Sequence, residues 1–444
     1  MNTPKKGNKN LLNAWAFYDW ANSVYSLVIA STIFPIFYAT LTVVKNEKGD
    51  VIADQVRFLG RSFNNDSLIS FVTALAFLFV AVISPFLSGV ADYTGRKKQF
   101  LKSFCYVGGL SCIGLFWFDL EYLGLGLGFY FLALVGFWGS LVFYNSYLPD
   151  IAFPEQQDRV SAKGYSFGYI GSVVLLILCL LVIMNYQALG FENQDLPTRL
   201  AFVMTGIWWI GFAQISFVRL PGGKREEKPR RKVLLNGFKE LRMIWEKLKH
   251  DLRLKRYLRA FFVYSMAVQT VMLIATYFGI EEVNWTGQDA TTGLIVSILL
   301  IQLVAIGGAM LTSRISAGLG NIKTLILINL VWTGICVFAY FIHTPLQFYI
   351  AAGLVGLVMG GIQTLSRSTY SKMLPRDTAD TTSYFSFYDV TEKIGIVIGM
   401  ILYGTVAELF GSIRVSVLFL TAFFLIGIVL LLRIPKNSSG SAAE

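Results

Sequence analysis

Charged residues are scarce in this chain. They make up 15% of its 444 residues, whereas a soluble domain carries about 25%. Hydrophobic residues make up 55% of the chain, and the mean hydropathy is +0.58. This composition excludes a soluble globular protein, an intrinsically disordered chain and a nucleic-acid-binding protein, although the formal net charge is +11.

Cysteine and histidine are scarcer still. The four cysteines cannot form a disulfide framework in a chain of this length, and all of them fall in apolar runs. His250 and His343 are far apart, and the sequence contains no HExxH, CxxC or GxxxxGK[ST] motif. We therefore expect no metal site, no cofactor, no direct use of ATP and no enzyme activity.

Long apolar runs dominate what is present. A helix needs about 20 apolar residues to cross a bilayer, and the sequence offers twelve such runs. The basic start of the chain lacks a small-residue cleavage site, so the first run is expected to remain in the protein. The predicted spans are 14–42, 67–90, 99–118, 122–147, 163–185, 200–219, 260–280, 290–312, 323–343, 346–373, 383–408 and 413–433.

The basic residues predict the orientation of these spans. If the N-terminus is cytoplasmic, the inner segments hold 30 of the lysines and arginines and the outer segments hold 6. Because cytoplasmic loops collect basic residues, this bias places both termini in the cytoplasm. We expect a multi-pass integral protein of the bacterial inner, or cell, membrane that functions as a monomer.

A basic segment at residues 220–259 divides the chain into two six-helix halves, 1–219 and 260–444. Part of it has the apolar periodicity of an amphipathic helix, with basic residues on the other faces. We expect this helix, at 232–256, to lie on anionic lipid headgroups; the alternative is a linker helix packed under the bundle. The apolar stripe is Leu234, Phe238, Leu241, Trp245, Leu248 and Leu252.

The two halves also resemble each other in sequence. Two short patterns that follow corresponding spans recur 225 and 226 residues later. Parallel repeats of six spans organise one large class of transporters. The patterns are Gly95 with Lys98, which recurs as Gly320 with Lys323, and Leu148-Pro149, which recurs as Leu374-Pro375.

The loop between spans two and three carries the sharpest motif, Gly89-Val-Ala-Asp92-Tyr-Thr-Gly95-Arg96. This segment resembles the signature of the major facilitator superfamily at the same loop, although Tyr93 replaces the usual basic residue. Gly89 allows close helix packing, Gly95 permits a tight turn, and Asp92 can pair with Arg96 or with a helix N-terminus. We interpret it as a cytoplasmic latch. The second copy, at 313–323, contains no acid.

A narrower resemblance rests on residues in both halves. The chain is similar to the vacuolar amino-acid effluxer family of autophagy (Atg type) and its bacterial relatives. The resemblance implies an all-α integral membrane protein with twelve transmembrane helices in two six-helix halves, and amino-acid-like substrates. It rests on four segments: Ala14–Tyr25, Phe143–Pro149, Gly360–Ser368 and Phe387–Lys393.

Charged residues inside the predicted spans are the main candidates for function. Because each is costly in lipid, it should face protein or a water-filled cavity. Asp389 and Lys393 are four residues apart and can pair on one helix face. Arg367 needs an acid, a cage of carbonyl groups or an anionic ligand, and Asp19 and Asp389 lie at a similar predicted depth. A substrate or proton site and a charged gate remain open alternatives for Asp19, Arg367, Asp389, Glu392 and Lys393.

Neutral polar residues near the middle of the spans complete the candidate site. The resemblance implies that spans one, four, seven and ten line a central cavity. Residues of these spans that could contact substrate are Asn22, Tyr25, Asn145 and Gln363. Pro35 and Pro85 are expected to kink their helices.

The sequence therefore favours a secondary active transporter that moves a small solute by alternating access. Amino acids and coupling to protons are the specific expectations, since the buried acids could titrate. A uniporter or exporter of another small solute, such as a sugar, peptide or drug-like molecule, is the alternative. A membrane receptor that does not transport has less support, because it would not need the latch or the two halves.

Overall fold

The computed structural model describes residues 5–45, 51–222, 233–286, 289–375 and 378–435. Within these residues, twelve helices are long and apolar enough to cross a membrane. Each contains or overlaps one predicted span, so the prediction of twelve transmembrane helices is confirmed. The twelve are Lys9–Thr42, Ser67–Thr94, Lys97–Trp117, Leu123–Ile151, Pro154–Met184, Asp195–Arg219, Leu252–Glu282, Ala290–Leu319, Asn321–Ala339, Pro345–Met373, Thr381–Phe410 and Ile413–Leu432.

The α-helices that build these spans, together with one linker helix, are numbered in chain order. They are α1 (Lys9–Val24), α2 (Phe34–Thr42), α3 (Asn65–Thr94), α4 (Lys97–Gly114), α5 (Leu123–Asn145), α6 (Leu148–Ile151), α7 (Pro154–Met184), α8 (Asp195–Arg219), α9 (Val233–His250), α10 (Leu252–Glu282), α11 (Ala290–Leu319), α12 (Asn321–Ala339), α13 (Pro345–Met373), α14 (Thr381–Phe410) and α15 (Ile413–Leu432).

Two irregular stretches and two hairpins complete the description. A π-helix, Tyr25–Ile33, joins α1 to α2, and a short 3-10 helix, Leu115–Trp117, extends α4. Strands β1 (Val44–Lys45) and β2 (Val51–Ala53) pair antiparallel, as do β3 (Gln55–Phe58) and β4 (Arg61–Asn64). Both hairpins lie between the first and second spans, in a segment that the sequence analysis left without regular structure.

Several helices begin where the sequence supplies a capping side chain. The Asn8 side chain accepts hydrogen bonds from the amides of Asn10 and Leu11 at the start of α1. Thr344 and Gln347 form a reciprocal capping box before α13. Such caps satisfy amide groups that a helix leaves unpaired in its first turn.

The chain divides into two compact units. The first comprises Met1–Phe153 and Lys163–Phe238, and the second comprises Pro154–Ala162 and Lys239–Glu444. Helix α7 therefore contributes residues to both units. Ten of the predicted linker residues, 223–232, lie outside the described residues.

Glycine permits close helix packing in each unit. In the first unit, a Cβ atom on Gly136 of α5 would lie 2.3 Å from the Cα atom of Gly108 on α4. In the second unit, a Cβ atom on Gly308 of α11 would lie 2.1 Å from the Leu357 carbonyl oxygen on α13. Small residues at such crossings let helix backbones approach, and dispersion contacts then stabilise the bundle.

Candidate functional site

The first unit buries one acid of the candidate set, Asp19 on α1, which is 3% exposed. The hydroxyl of Tyr144 on α5 donates a 2.8 Å hydrogen bond to its Oδ2 atom. Trp15, one turn earlier on α1, stacks on the Tyr144 ring at 4.5 Å and donates to the Tyr144 carbonyl oxygen at 2.9 Å. Stacking and hydrogen bonding thus hold the phenol in place beside the carboxylate.

Asn22 and Tyr25 follow Asp19 along the same helix and are also buried. The Nδ2 atom of Asn22 and the hydroxyl of Tyr25 have no hydrogen-bond partner among the described residues. The Tyr25 ring lies 5.0 Å from the Phe137 ring and 5.9 Å from the Trp209 ring. Buried polar groups are normally paired, so these two unpaired donors keep both residues as candidates for contact with a polar ligand.

Asn145 ends α5 and is half-buried. It follows Tyr144, the partner of Asp19, directly in the chain. Trp138, an aromatic residue of the same helix, packs against Phe137 at 5.2 Å and Phe77 at 5.6 Å. Trp138 therefore packs within an aromatic core.

The second unit holds a cluster of three charges on α14. The Lys393 Nζ atom lies 2.7 Å from Asp389 Oδ1 and 3.2 Å from Glu392 Oε2. Gln269 on α10 donates to the other Glu392 oxygen at 2.9 Å. Lys393 is 1% exposed, and Asp389 Oδ2 is buried without a hydrogen-bond partner in the described part of the chain. The Asp389–Lys393 pair expected from the spacing is therefore present, and Glu392 adds a second carboxylate.

Arg367 on α13 is 1% exposed, and Ser161 at the start of α7 binds it. Its Nε atom donates to Ser161 Oγ at 3.0 Å, and its Nη2 atom donates to the Ser161 carbonyl oxygen at 3.0 Å. Ser161 Oγ in turn donates to the Thr364 carbonyl oxygen at 3.0 Å. Carbonyl groups are among the partners considered from the sequence, and the Ser161 carbonyl and hydroxyl groups both bind Arg367.

Beside Arg367, a chain of hydroxyl groups leads to α10. Tyr264 Oη lies 2.8 Å from Ser366 Oγ, and Tyr257 Oη donates to the Ser366 carbonyl oxygen at 2.8 Å. The two phenol oxygens are 3.3 Å apart. Gln363, the predicted substrate contact on α13, is half-buried. Sequence reasoning did not select these tyrosines, because aromatic residues in a span are usually core residues.

The motif predicted as a latch forms the turn between α3 and α4. Gly95 has a φ of +64°, which glycine adopts without steric cost. The amide of Arg96 donates to the Ala91 carbonyl oxygen at 3.0 Å, and the Arg96 side chain is exposed. Gly89 is buried and Asp92 is half-buried.

Two further ion pairs lie close to predicted motifs. Lys97, directly after the latch residues, pairs with Asp150 on α6. In the second unit, Asp158 accepts hydrogen bonds from Lys372 at 2.5 Å and from Asn321 Nδ2 at 2.8 Å. The sequence alone gives little indication of these two ion pairs, because each acid is distant in sequence from its basic partner. Asp150 and Asp158 follow a Leu-Pro and a Phe-Pro step, respectively.

The linker helix α9 buries Leu248 of the predicted stripe together with Ile244, which lies outside that stripe. Ile244 and Leu248 are buried, whereas Trp245 is 46% exposed and lies 5.4 Å from the Phe387 ring. Lys247 pairs with Asp380 at 3.6 Å. These contacts attach α9 to the start of α14, and the side chains of Lys239, Arg242 and Lys249 remain exposed.

Comparison with known proteins now identifies the family. A family model described as "Vacuole effluxer Atg22 like" matches residues 7–444. An uncharacterized MFS-type transporter of Bacillus subtilis, YxiO, is 30% identical over 97% of this chain and 96% of its own length. Autophagy-related protein 22-1 of Penicillium rubens is 22% identical over 97% of this chain and 90% of its own length.

The chain belongs to the Atg22-like family. Its fold agrees with that of FucP, a major facilitator superfamily transporter solved in the outward conformation, with a TM-score of 0.65 over 96% of this chain and 99% of FucP. Sequence identity to FucP is 12%, so this comparison establishes the fold alone. Membership of the Atg22-like family makes the protein an integral membrane transporter of the major facilitator superfamily and not an enzyme.

The resemblance drawn from the sequence motifs is therefore confirmed at the level of family and fold. Within this Atg22-like protein, the candidate residues fall into two separate sets. Asp19, Asn22 and Tyr25 belong to the first unit, and Arg367 and the α14 charge cluster belong to the second. Each set has its own local partners.

Proposed function

We propose that this protein is a secondary active transporter that moves a small solute by alternating access, with amino acids as the first candidate substrates and protons as the coupling ion. The observation that carries the proposal is the buried cluster of Lys393, Asp389 and Glu392 on α14. The description of the matched family, vacuole effluxer, supports a transport function.

The charge balance of this cluster supports proton coupling. Two carboxylates, the buried Asp389 and the half-buried Glu392, share one ammonium group, so full ionisation leaves one negative charge without a counter-ion inside the cluster. An uncompensated buried charge is costly, and binding a proton removes it. Asp389 is the preferred proton acceptor because its Oδ2 atom has no partner among the residues described. Proton release would then let Lys393 hold Asp389 more tightly.

Each unit offers polar groups that a solute could contact. Asn22 and Tyr25 offer unpartnered donors, and Asp19 offers a carboxylate to an ammonium group. Arg367 offers a planar, permanently charged group to a carboxylate. An amino acid carries both kinds of group. The full candidate set is Asp19, Asn22, Tyr25, Asn145, Gln363, Arg367, Asp389, Glu392 and Lys393.

Some of these residues also fit a gate. Within the second unit, Arg367 and Lys372 on α13 bind Ser161 and Asp158 on the first turns of α7. These bonds could form in one transport state and break in the other. We propose that Gly89, Asp92, Gly95 and Arg96 act in the same way as a cytoplasmic latch, with Asp92 making a charge-assisted contact in one state only.

We further propose that both termini and residues 220–259 face the cytoplasm of a bacterial cell, with residues 1–219 and 260–444 as the two transport halves. The bias of 30 inner to 6 outer basic residues supports this orientation. A cysteine introduced at Lys228 should resist an impermeant reagent added outside. Labelling of this cysteine from outside would indicate the opposite topology.

We propose that the exposed basic face of α9 contacts anionic lipid headgroups near the membrane surface. Lys239, Arg242 and Lys249 are exposed, and each basic residue near such a surface contributes about 1 kcal/mol. The purified monomer should retain more anionic lipid than a variant with these three residues changed to glutamine. Equal lipid retention would contradict this contact.

The function itself is tested in two stages. A thermal-shift screen of the purified protein against amino acids, peptides, sugars and nucleosides should yield a stabilising solute. Proteoliposomes should then accumulate that solute when a proton gradient is imposed, and collapse of the gradient should stop accumulation. If the solute equilibrates across the membrane but does not accumulate, the protein is a uniporter and not a symporter or antiporter. A solute that binds but never crosses the membrane would favour a receptor.

A further inference from the structure

An arginine fastens the predicted outer ends of three helices in the first unit. Arg199, at the start of α8, donates from Nη1 to the Phe116 and Phe118 carbonyl oxygens at 3.0 and 2.6 Å. Its Nε atom donates to Asp195 at 2.8 Å, and its guanidinium group lies 5.2 Å from the centre of the Phe37 ring on α2. The last, third and first spans of the unit meet at this side chain.

The second unit repeats this arrangement at the corresponding positions. Arg414, at the start of α15, donates from Nη1 to the Tyr340 carbonyl oxygen at 2.9 Å, just beyond α12. Its Nε and Nη2 atoms donate to the Glu282 carboxylate and carbonyl oxygens at 2.5 and 2.8 Å, at the end of α10. The guanidinium group lies 5.7 Å from the centre of the Phe278 ring.

The two arginines differ in how they hold the first helix of their unit. Glu282 on α10 offers Arg414 a carboxylate and a carbonyl group, which form strong charge-assisted bonds. By contrast, α2 has the sequence FPIFYATLT and contains no charged residue. Phe37 offers Arg199 only its ring face. A cation–π contact of this kind contributes about 0.5–2 kcal/mol, so Arg199 binds α2 more weakly than Arg414 binds the end of α10.

The backbone before α2 also differs from that of α10. Helix α10 is continuous from Leu252 to Glu282, whereas the nine residues Tyr25–Ile33 before α2 form a π-helix. Pro35 supplies a physical cause, because proline has no amide hydrogen and its ring collides with the carbonyl group four residues earlier. Thr32 Oγ1 has no hydrogen-bond partner among the described groups. Stretches of π-helix are rare and frequently lie at functional sites.

We infer that α2 is a mobile outer segment that moves about the π-helix Tyr25–Ile33, while the outer end of α10 stays fastened to α15 through Glu282 and Arg414. This inference deepens the proposed function and rests on it, because alternating access requires movement at the outer ends. It assigns the larger local movement to the first span and not to its counterpart, the seventh. The hydrogen bonds of α2, such as Tyr38 Oη to the Asn65 carbonyl oxygen at 3.2 Å, are neutral and therefore weaker than the charge-assisted bonds of Glu282.

Amide hydrogen exchange tests the mobility without any need for a transported solute. Peptides covering residues 25–42 should exchange at least about tenfold faster than peptides covering 270–282, since local opening follows local stability. Pro35→Ala should slow exchange over residues 25–33, because it removes the cause of the π-helix. Pro85→Ala, inside the regular helix α3, is the matched control and should leave residues 25–33 unchanged. Equal exchange of the two segments, or no effect of Pro35→Ala, would overturn the inference.

Cross-linking then tests whether this mobility serves transport. The Phe37 and Phe202 rings are 5.2 Å apart, so a short reducible cross-linker should join Phe37→Cys to Phe202→Cys. The four native cysteines are buried. This cross-link should reduce uptake at least about tenfold, whereas joining Glu282→Cys to Arg414→Cys should change uptake less than about twofold. Reduction should restore the first variant. Full uptake by the 37–202 cross-linked protein would overturn the inference. Absence of uptake by the protein that keeps Phe37 and Phe202 would instead refute the proposed function.

Discussion

The two units bury charge in different ways. In the first, Asp19 is bound by the neutral hydroxyl of Tyr144 within a group of stacked rings. In the second, Lys393 binds two carboxylates, and Arg367 binds Ser161. One unit thus offers polar groups in an aromatic setting, and the other offers exchangeable charges.

This difference suggests a division of labour between the units. Aromatic rings and single polar groups select the shape and polarity of a solute, whereas a set of carboxylates around a lysine can exchange a proton for a counter-ion. We therefore expect mutations in the first unit to change mainly the affinity for solute. Mutations of the α14 cluster should change mainly the dependence on the proton gradient.

The largest effect is expected from Lys393→Met. Removing the ammonium group leaves the buried Asp389 beside the half-buried Glu392, and breaking a buried ion pair such as Asp389–Lys393 costs about 3–5 kcal/mol. Thermal unfolding of the purified protein should show a marked loss of stability. Lys249→Met, which removes an exposed pair with Glu246, should cost about 0–1 kcal/mol. Equal unfolding temperatures for the two variants would contradict the assignment of the α14 cluster as a buried charge site.

The next effect is expected from Arg367→Lys. Lysine keeps the charge but cannot make both bonds to Ser161 or bind a carboxylate with two parallel donors. If Arg367 binds solute, affinity should fall at least about tenfold, since a hydrogen bond to a charged group contributes about 1.5–3 kcal/mol. Exposed Arg314→Lys on α11 is the control. Unchanged affinity, with a shifted balance of transport states, would assign Arg367 to the gate alone.

A moderate effect is expected from Tyr144→Phe in the first unit. The change removes the hydrogen bond to Asp19 but keeps the ring that stacks on Trp15. Solute affinity should fall about tenfold, and the proton dependence of uptake should persist. Tyr147→Phe removes a hydrogen bond to a backbone carbonyl group of Pro221 and should have less effect. A Tyr144→Phe variant that loses proton dependence would break the proposed division of labour.

The smallest effect is expected from Asp92→Asn in the latch. The variant should fold and bind solute normally but transport it several-fold more slowly, because a contact made in one state is weakened. Exposed Glu121→Gln, beyond the opposite end of α4, should transport at the normal rate. Normal transport by Asp92→Asn would leave the segment as an ordinary basic loop.

Some of this structure could be predicted from the sequence and some could not. Spans were predictable because a bilayer requires about 20 consecutive apolar residues, and the Asp389–Lys393 pair followed from helical spacing. The partners of Asp19 and Arg367 were not, because Tyr144 and Ser161 lie 125 and 206 residues away in sequence. Only tertiary packing brings such residues together.

The linker and the first span show the same limit. Of the apolar stripe predicted for α9, Leu248 is buried but Trp245 is exposed, and Ile244 is buried in its place, because periodicity alone does not identify the partner surface. Pro35 predicted a kink, but its consequence is a nine-residue π-helix. A proline signals a broken hydrogen bond and not how the neighbouring turns absorb it.

One measurement tests the division of labour most directly. Proteoliposomes containing a pH-sensitive dye report proton movement when the identified solute is added. Asp389→Asn should abolish solute-driven proton flux while the solute still binds. Asp19→Asn, which is the matched change in the first unit, should shift the solute concentration for half-maximal flux and keep the proton flux itself. Equal loss of proton flux in both variants, or retained flux in Asp389→Asn, would contradict the assignment of proton coupling to the second unit.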